Sequence, residues 1–316
     1  MRAGRPLSLG SRLSRILVPF LAAVALVAAL GVAASLARGS DAQSTWTMQS
    51  PVQPRHTGVF RNPRLAESSG VAASRRQPGV LWTLNDSGNE PSIFATDTLG
   101  RDLGTLRVTG ADNYDWEAIA LGPCGRRECL YIADTGDNLE SRGEVRIYRV
   151  PEPALPAGSP ATSAAEALEV RYPDGPRDVE AAFVGADGTV FLISKGRDGT
   201  VRAYRVPADA WVERDPVVAE ALGGLPIETG SLGNLVTDAA LSPAGDRVAI
   251  RTYVAVFLFT LTRRNTLLPL GVACDAAGLQ VQGEGISWLD HRRMVLTSEG
   301  GFATPGTIVV LGCGSG

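Results

Sequence analysis

The strongest constraint on this chain is a line that repeats. Asp115-Trp116-Glu117-Ala118-Ile119-Ala120 leads through a short loop to the strand-like "CLYIADTGDN" and then to "VRIYRVPEP". The line returns as "DVEAAFV", "TVFLISKGRDG", "VRAYRVP", then as "TDAALSP", "RVAIRTY", "AVFLFTLT", and again as "GEGISWL", "RMVLTSEGG", "GTIVVLGC". An earlier copy reads "SSGVAAS", "GVLWTLNDSGN", "SIFATDT". Aligning the copies places Ser69, Glu117, Glu180, Asp238 and Glu284 at one equivalent position, about 54 residues apart on average. That period lies in the range of propeller blades.

From Glu67 onward short apolar runs alternate with turn signals, and no stretch sustains a helical period. Four of the copies supply four strand candidates each, whereas the last supplies three before the chain stops. A propeller has to close, because an open first and last blade would leave unpaired sheet edges. The expectation is therefore an all-β, five-bladed β-propeller with four-stranded antiparallel blades, closed by an N-terminal strand within residues 55–65. Six blades are the alternative, if the stretch around 210–235 hides a degenerate blade. Residues 153–168 read as a Pro/Ala/Ser loop.

The first 40 residues are a different polymer, with Arg2, Arg5, Arg12 and Arg15 ahead of an uncharged run from Ile16 to Ala37. This reads as an export signal over residues 1–37, either cleaved after a small-residue site or retained as an anchor. A linker over 38–54 and the propeller over 55–316 complete the expected organisation. On this reading the folded part lies outside the cytoplasm, extracellular or in the cell envelope, and meets the membrane only through residues 16–37 if they are uncleaved. Export makes the four cysteines disulfide candidates, paired Cys124–Cys129 and Cys274–Cys313. The formal charge of −3 argues against a nucleic-acid partner, which leaves a basic footprint. A monomer with a small-molecule ligand or substrate is expected.

Antiparallel alternation puts the loop entering each inner strand and the loop leaving the second strand on one face of a propeller. On that face the sequence gathers Glu67, Asp115, Glu117, Asp178, Glu180, Asp238 and Glu284 from the first set of loops. The second set adds Asn85, Asp86, Asp134, Asp137, Lys195, Arg197, Arg251 and Glu299. Carboxylates crowded this way raise one another's pKa or hold a cation, and hard oxygen donors suit Ca²⁺. Glu117, Glu180, Asp238 and Glu284 are the expected ligands, with Glu67, Asn85, Asp115, Asp134 and Asp178 as weaker candidates. Glu117, Glu180, Lys195 and Arg251 are the candidates for chemistry. The competing reading makes the acids turn formers and caps for backbone N–H groups of a neighbouring blade.

The line "DVEAAFV…TVFLISKG…VRAYRV" resembles the bacterial β-propeller phytases and the family named for phytase-like esterase activity. The stretch "LAESSGVAAS…VLWTLNDSGN" is similar to the opening blade of gluconolactonase and paraoxonase-type propellers. The first resemblance implies a channel ringed by calcium-binding glutamates, matched by Glu117, Glu180 and Glu284. The second implies one divalent ion held by Glu, Asn and Asp, with Glu67 an approximate match to the early ligand. Ser69 and Asp238 depart from the ring, and Arg142, Lys195, Arg197 and Arg251 are fewer basic groups than a phosphate cleft carries.

Two functions of different classes follow. One is a metal-dependent hydrolase of phosphate esters, esters or lactones at an acidic channel mouth. The other is a non-catalytic cell-envelope propeller that uses the same mouth to bind a ligand or protein. A Ser-His-Asp hydrolase fits poorly, since His56 and His291 fall far from the acids and no nucleophile elbow is present.

Overall fold

A computed structural model describes residues 47–49, 52–213, 216–301 and 304–313. The segment 1–37 expected to carry the export signal lies outside the described residues. Among the described residues no helix is long and apolar enough to cross a membrane.

The described residues form five sheets, one for each copy of the repeated line. From the axis outward, the first blade is Ser68–Ala73, Leu81–Asn85, Ser92–Thr96 and Gly104–Thr109. The second is Trp116–Cys124, Arg127–Asp134, Val145–Pro151 and Glu166–Arg171. The third is Val179–Val184, Val190–Ser194, Thr200–Val206 and Glu220–Glu228. The fourth is Val236–Leu241, Arg247–Thr252, Ala255–Leu261 and Leu267–Asp275. The fifth is Gly283–Trp288, Met294–Ser298, Thr307–Gly312 and the N-terminal strand Val52–Val59. Closure is made, as expected, by an N-terminal strand pairing antiparallel with Thr307–Gly312, but that strand is Val52–Val59, so it starts in the expected linker and ends well before residue 65. The six-blade alternative falls, because 210–235 holds the short helix Ala210–Glu213, the outer strand of the third blade and a 3₁₀ turn at Leu232–Asn234.

Three blades carry a fifth, parallel strand that the antiparallel expectation omits. Ala161–Ala164 lies ahead of the second blade's outer strand and pairs with Gly104–Thr109 of the first. Val217–Val218 lies ahead of the third blade's outer strand and pairs with Glu166–Arg171 of the second. Thr47–Gln49 lies ahead of the closing strand and pairs with Leu267–Asp275 of the fourth. In each case the chain protects the preceding blade's outer edge before entering its own, which removes an exposed ladder. Part of the expected 153–168 loop and part of the expected 38–54 linker are therefore strand.

The second strands Leu81–Asn85 and Val190–Ser194 are buried on both faces, because each lies between neighbouring blades. The outer strand Gly104–Thr109 alternates instead, with Leu106 and Val108 inward and Arg107 and Thr109 outward. Large side chains fill the wedges between blades: Trp82, Trp116 and Tyr148 in one cluster, Tyr131, Tyr204 and Trp211 in the next. Phe183 stacks on Phe191 at 4.5 Å in the third wedge, and Trp288 packs with Met294 in the fourth. Both expected disulfides are present, Cys124–Cys129 and Cys274–Cys313, each with Cα atoms 5.8 Å apart. The second ties the fourth blade's outer strand to the residue after Thr307–Gly312.

Candidate metal centre at the channel mouth

The inner strands meet in a closed ring around the axis. An innermost strand is also a sheet edge, so its backbone groups on the axial side need partners from elsewhere. Hydroxyls bridge neighbouring blades there: Ser69 Oγ donates to Glu117 O, Thr135 Oγ1 to Val179 O, and Thr237 Oγ1 to Glu284 O.

Each inner strand is interrupted near its upper end by a β-bulge. The register slips between Ser68 and Gly70, Trp116 and Ala118, Val179 and Ala181, Val236 and Asp238, and Gly283 and Ile286. A bulge inserts one residue and re-aims its side chain. The residues so placed are Ser69, Glu117, Glu180 and Thr237, with Glu284 in the corresponding slip of the fifth blade. The repeat alignment is therefore corrected by one residue in the fourth blade, where Thr237 takes the ring position and Asp238 the next.

That next position is filled by Gly70, Ala118, Ala181 and Gly285 in the other blades, where the inner strands approach closely. A Cβ on Gly70 would lie 2.9 Å from Ile119 N, and one on Gly285 would lie 2.8 Å from Val71 N. Asp238 is fully buried in this layer. Its Oδ1 accepts from Ala239 N at 2.8 Å and its Oδ2 from Ile286 N at 2.8 Å, and Val71 N adds a further bond. Burial still pushes its carboxyl well up, with those amides and Arg251 working against the rise. Asp238 thus binds backbone edges of the fifth and first blades. Replacing Asp238 with Asn should cost about 1–3 kcal/mol, the usual penalty for a stranded buried donor. Thermal melts with and without calcium check this: the variant should keep whatever calcium-induced shift the wild type shows.

Above that layer two carboxylate groups form, Asp86–Asp115–Glu117 and Glu117–Asp178–Glu180, each with three ligand-capable oxygens within 4.8 Å of one another. Glu117 is common to both and is held by Ser69 Oγ at 3.1 Å. Burial drives its carboxyl well above the usual range, and Glu180 and Asp86 add to the rise while Lys195 opposes it. Asp115 is lifted by burial to about 6, with Asp86 and Asp178 contributing. Burial lifts Glu180 to about 7 although the Lys195 ammonium bonds its Oε1. Asp178 is the exception. Burial would raise it, but Lys195, Arg197 and the Asp137 amide together hold it low.

The other expected residues have different places. Asn85 is loop bracing: its Oδ1 accepts from Glu67 N at 3.1 Å and its Nδ2 donates to Arg64 O at 2.7 Å. Its neighbour Asp86 faces the mouth instead. Asp134 supports the Asp115 loop, accepting from Asp115 N and from Arg142 Nη2, both at 3.1 Å. Glu67 is exposed and accepts from Asn89 Nδ2 at 2.6 Å. Glu284 is buried, with its carboxyl pushed well up by burial and by Glu299 and Glu180, and it lies outside both carboxylate groups. Arg251 is buried and donates to Gly285 O, Thr297 O and Gln280 Oε1 at 2.6, 2.7 and 2.7 Å.

Asp86, Tyr253, Glu299 and Gly136 are not among the site residues expected from sequence. Tyr253 follows the fourth blade's second strand, and burial raises its phenol, with Glu284 adding to the rise and Lys195 opposing it. Glu299, lifted by burial to about 8 with help from Asp86 and Glu67, appeared only as one of many loop acids. At Gly136 a Cβ would sit 2.3 Å from Glu117 Oε1 and 2.5 Å from the Asp115 carboxyl carbon, so only a glycine lets the backbone approach these two carboxylates so closely. The legible signal was the acid-x-acid doublet, Asp115-Trp116-Glu117 and Asp178-Val179-Glu180.

No protein-family model matches this chain, and no curated protein matches it by sequence. Solved structures do share the fold. The PQQ-bound aldose sugar dehydrogenase of Streptomyces coelicolor superposes with a TM-score of 0.51 at 13% identity, covering 83% of this chain and 99% of that one. A gluconolactonase from Xanthomonas campestris matches at a TM-score of 0.44 and 12% identity, covering 88% and 99%. What is common at these identities is the β-propeller. The likeness is not specific to phytases.

Proposed function

We propose that this is an exported propeller that binds one or more divalent cations, Ca²⁺ first among them, and hydrolyses an ester or lactone at the acidic mouth. The observation that carries the reading is the gathering of five carboxylates from three blades into two groups that share Glu117. Buried acids in such a group either keep protons or take a cation, and an all-oxygen donor set matches a hard ion. Bound there, the ion would polarise a carbonyl oxygen and make a bound water more acidic. Glu117 is the shared ligand, Asp86, Asp115 and Asp178 are further donors, and Glu180 is the base that accepts the water's proton.

The same geometry favours an uncharged substrate over a phosphate ester. Lys195 and Arg197 are engaged by Glu180 and Asp178, Arg142 by Asp134, and Arg251 by backbone carbonyls. A phosphate dianion would meet the surplus carboxylates with little free positive charge to receive it, whereas a neutral ester or lactone meets no such repulsion.

The test is a rate comparison on the purified protein with p-nitrophenyl acetate, a neutral γ-lactone and p-nitrophenyl phosphate, each in calcium and in chelator. Turnover of the ester or lactone that needs calcium and is lost in Glu117→Gln is expected. Calcium binding with no turnover of any of the three would overturn the hydrolase and leave a non-catalytic binding propeller.

A further inference from the structure

The axial channel has a second end. Strand alternation sends the loop between the first two strands of every blade to the face opposite the acidic mouth. Among these loops lies a cavity of about 810 Å³, walled by Ala73, Ile119, Leu121, Val184, Leu241 and Trp288, so that all five blades contribute. Its size falls within the ~300–1,000 Å³ of small-molecule sites. No mouth carboxylate lines it, and the close inner-strand contacts at Gly70 and Gly285 lie between the two ends.

The wall is apolar, and the polar groups at the rim are unequal in charge. Asp290, the acid among the lining residues, is fully engaged within its own loop. Its Oδ1 accepts from Arg292 N and Arg293 N at 2.8 Å each, and its Oδ2 from Arg293 Nε at 2.7 Å. Ser74 Oγ donates to Glu152 Oε1, and Ser287 Oγ accepts from Ala73 N at 2.9 Å. Arg75 is different. It is exposed and reaches Glu128 through Nη1 alone, at 3.2 Å, and among the described residues nothing pairs with its Nε or Nη2. The exposed His291 ring likewise makes no hydrogen bond among the described residues. A surface ion pair such as Arg75–Glu128 contributes little and yields readily to a competing anion. Unused N–H donors thus stand at the edge of an apolar cavity whose lining acid is already paired.

We propose that this lower cavity binds a long-chain carboxylate, with the alkyl chain against the five-blade wall and the carboxylate on Arg75 and His291 at the rim. The site is independent of the cation-binding reading of the upper mouth. Burial of the chain supplies affinity in proportion to its length, and the charge-assisted bond at the rim selects the acid over neutral analogues. One planar carboxylate matches the fork of one guanidinium, and the imidazole adds a further N–H.

Titration calorimetry with decanoate, octanoate and decanol tests this on the purified protein, Arg75→Gln and Ala73→Trp, with circular dichroism reporting the fold. Saturable binding of one decanoate is expected, with about tenfold weaker binding of octanoate, which is two methylenes shorter. Decanol should also bind about tenfold more weakly than decanoate, since it lacks the charge-assisted bond. Arg75→Gln should bring decanoate to the level of decanol and leave decanol unchanged. Ala73→Trp fills the cavity and should abolish binding of all three. Equal affinity for decanoate and decanol in wild type would overturn the ligand class, and no saturable binding of decanoate would overturn the site. Full binding by folded Ala73→Trp would place the ligand elsewhere and overturn it too. If that variant does not fold, the Arg75→Gln comparison decides alone. Decanoate binding should be the same in calcium and in chelator; binding that requires calcium would put the carboxylate at the upper mouth and overturn the proposal.

Discussion

Chelated protein should melt at a higher temperature at pH 5 than at pH 8, and calcium should reverse that order. Glu299, Glu180 and Asp115 have carboxyls lifted to about 8, 7 and 6, each chiefly by burial. In the unfolded chain the same groups titrate near 4.5 or 3.8. Between those limits the folded state holds protons that the unfolded state has released, so stability falls as pH rises from about 4.5 toward 8 and then levels. One unit of pKa shift corresponds to about 1.4 kcal/mol, and mutual dependence within the group keeps the shifts from adding, so a loss of ~2 kcal/mol is expected. Cation binding needs the carboxylates deprotonated and therefore strengthens over the same range. At 100 times its Kd a ligand bound only by the folded state adds about 2.7 kcal/mol. For a domain of this size that is ~5–10 °C in Tm at pH 8. Differential scanning calorimetry at both pH values, in calcium and in chelator, measures it. Glu117→Gln should abolish the calcium increment and keep the fold. Identical melts in calcium and chelator at pH 8 would return the acids to a purely structural role.

Arg251→Met should be the most damaging single change in the molecule short of removing the closing strand. The guanidinium comes from the fourth blade's second strand and donates Nη1 to Gly285 O and Thr297 O, on the first two strands of the fifth blade. Its Nη2 donates to Gln280 Oε1, and Gln280 Nε2 in turn donates to Thr307 O at 2.8 Å on the third strand. One side chain therefore clamps the fourth blade to all three C-terminal strands of the blade that closes the ring. Burial pulls its pKa down to about 10, with Glu284 and Asp238 opposing the fall. Met fills the volume but leaves two carbonyls unpaired and two buried acids without their cation. The expected cost is about 3–5 kcal/mol, or ~6–20 °C in Tm. Arg251→Lys keeps the charge without the fork and should recover only part of the loss. Urea titration of the three proteins gives the values. A loss below ~1 kcal/mol for Arg251→Met would show that the clamp contributes little.

The place of Asp238 is the clearest case of a pattern that local sequence cannot resolve. By repetition it stands with Glu117, Glu180 and Glu284, and it is an acid like them. Within a strand, successive side chains point to opposite faces, so a slip of one residue sends an acid elsewhere. Here the bulge sets Thr237 in the ring and Asp238 under it. The same kind of phase decides between Asn85, whose amide braces a loop, and Asp86, which reaches the mouth.

The number of blades, the closing strand and both disulfides were legible because each rests on counting: copies of a line, a missing outer strand, and an even number of cysteines. The acid-x-acid doublets at 115–117 and 178–180 were legible as a repeated motif, a loop acid just ahead of an inner strand followed by the glutamate of that strand's bulge. The parallel fifth strands were not. Ala161–Ala164 and Val217–Val218 are short and only partly buried, and they form strands because a neighbouring blade offers an unpaired edge. The division of labour at the mouth was not legible either. It depends on which carboxylate meets the Lys195 ammonium, which meets a backbone amide of a distant blade, and where Gly136 lets the backbone come close. Those are distances between segments far apart in sequence, and only the closed ring brings them together.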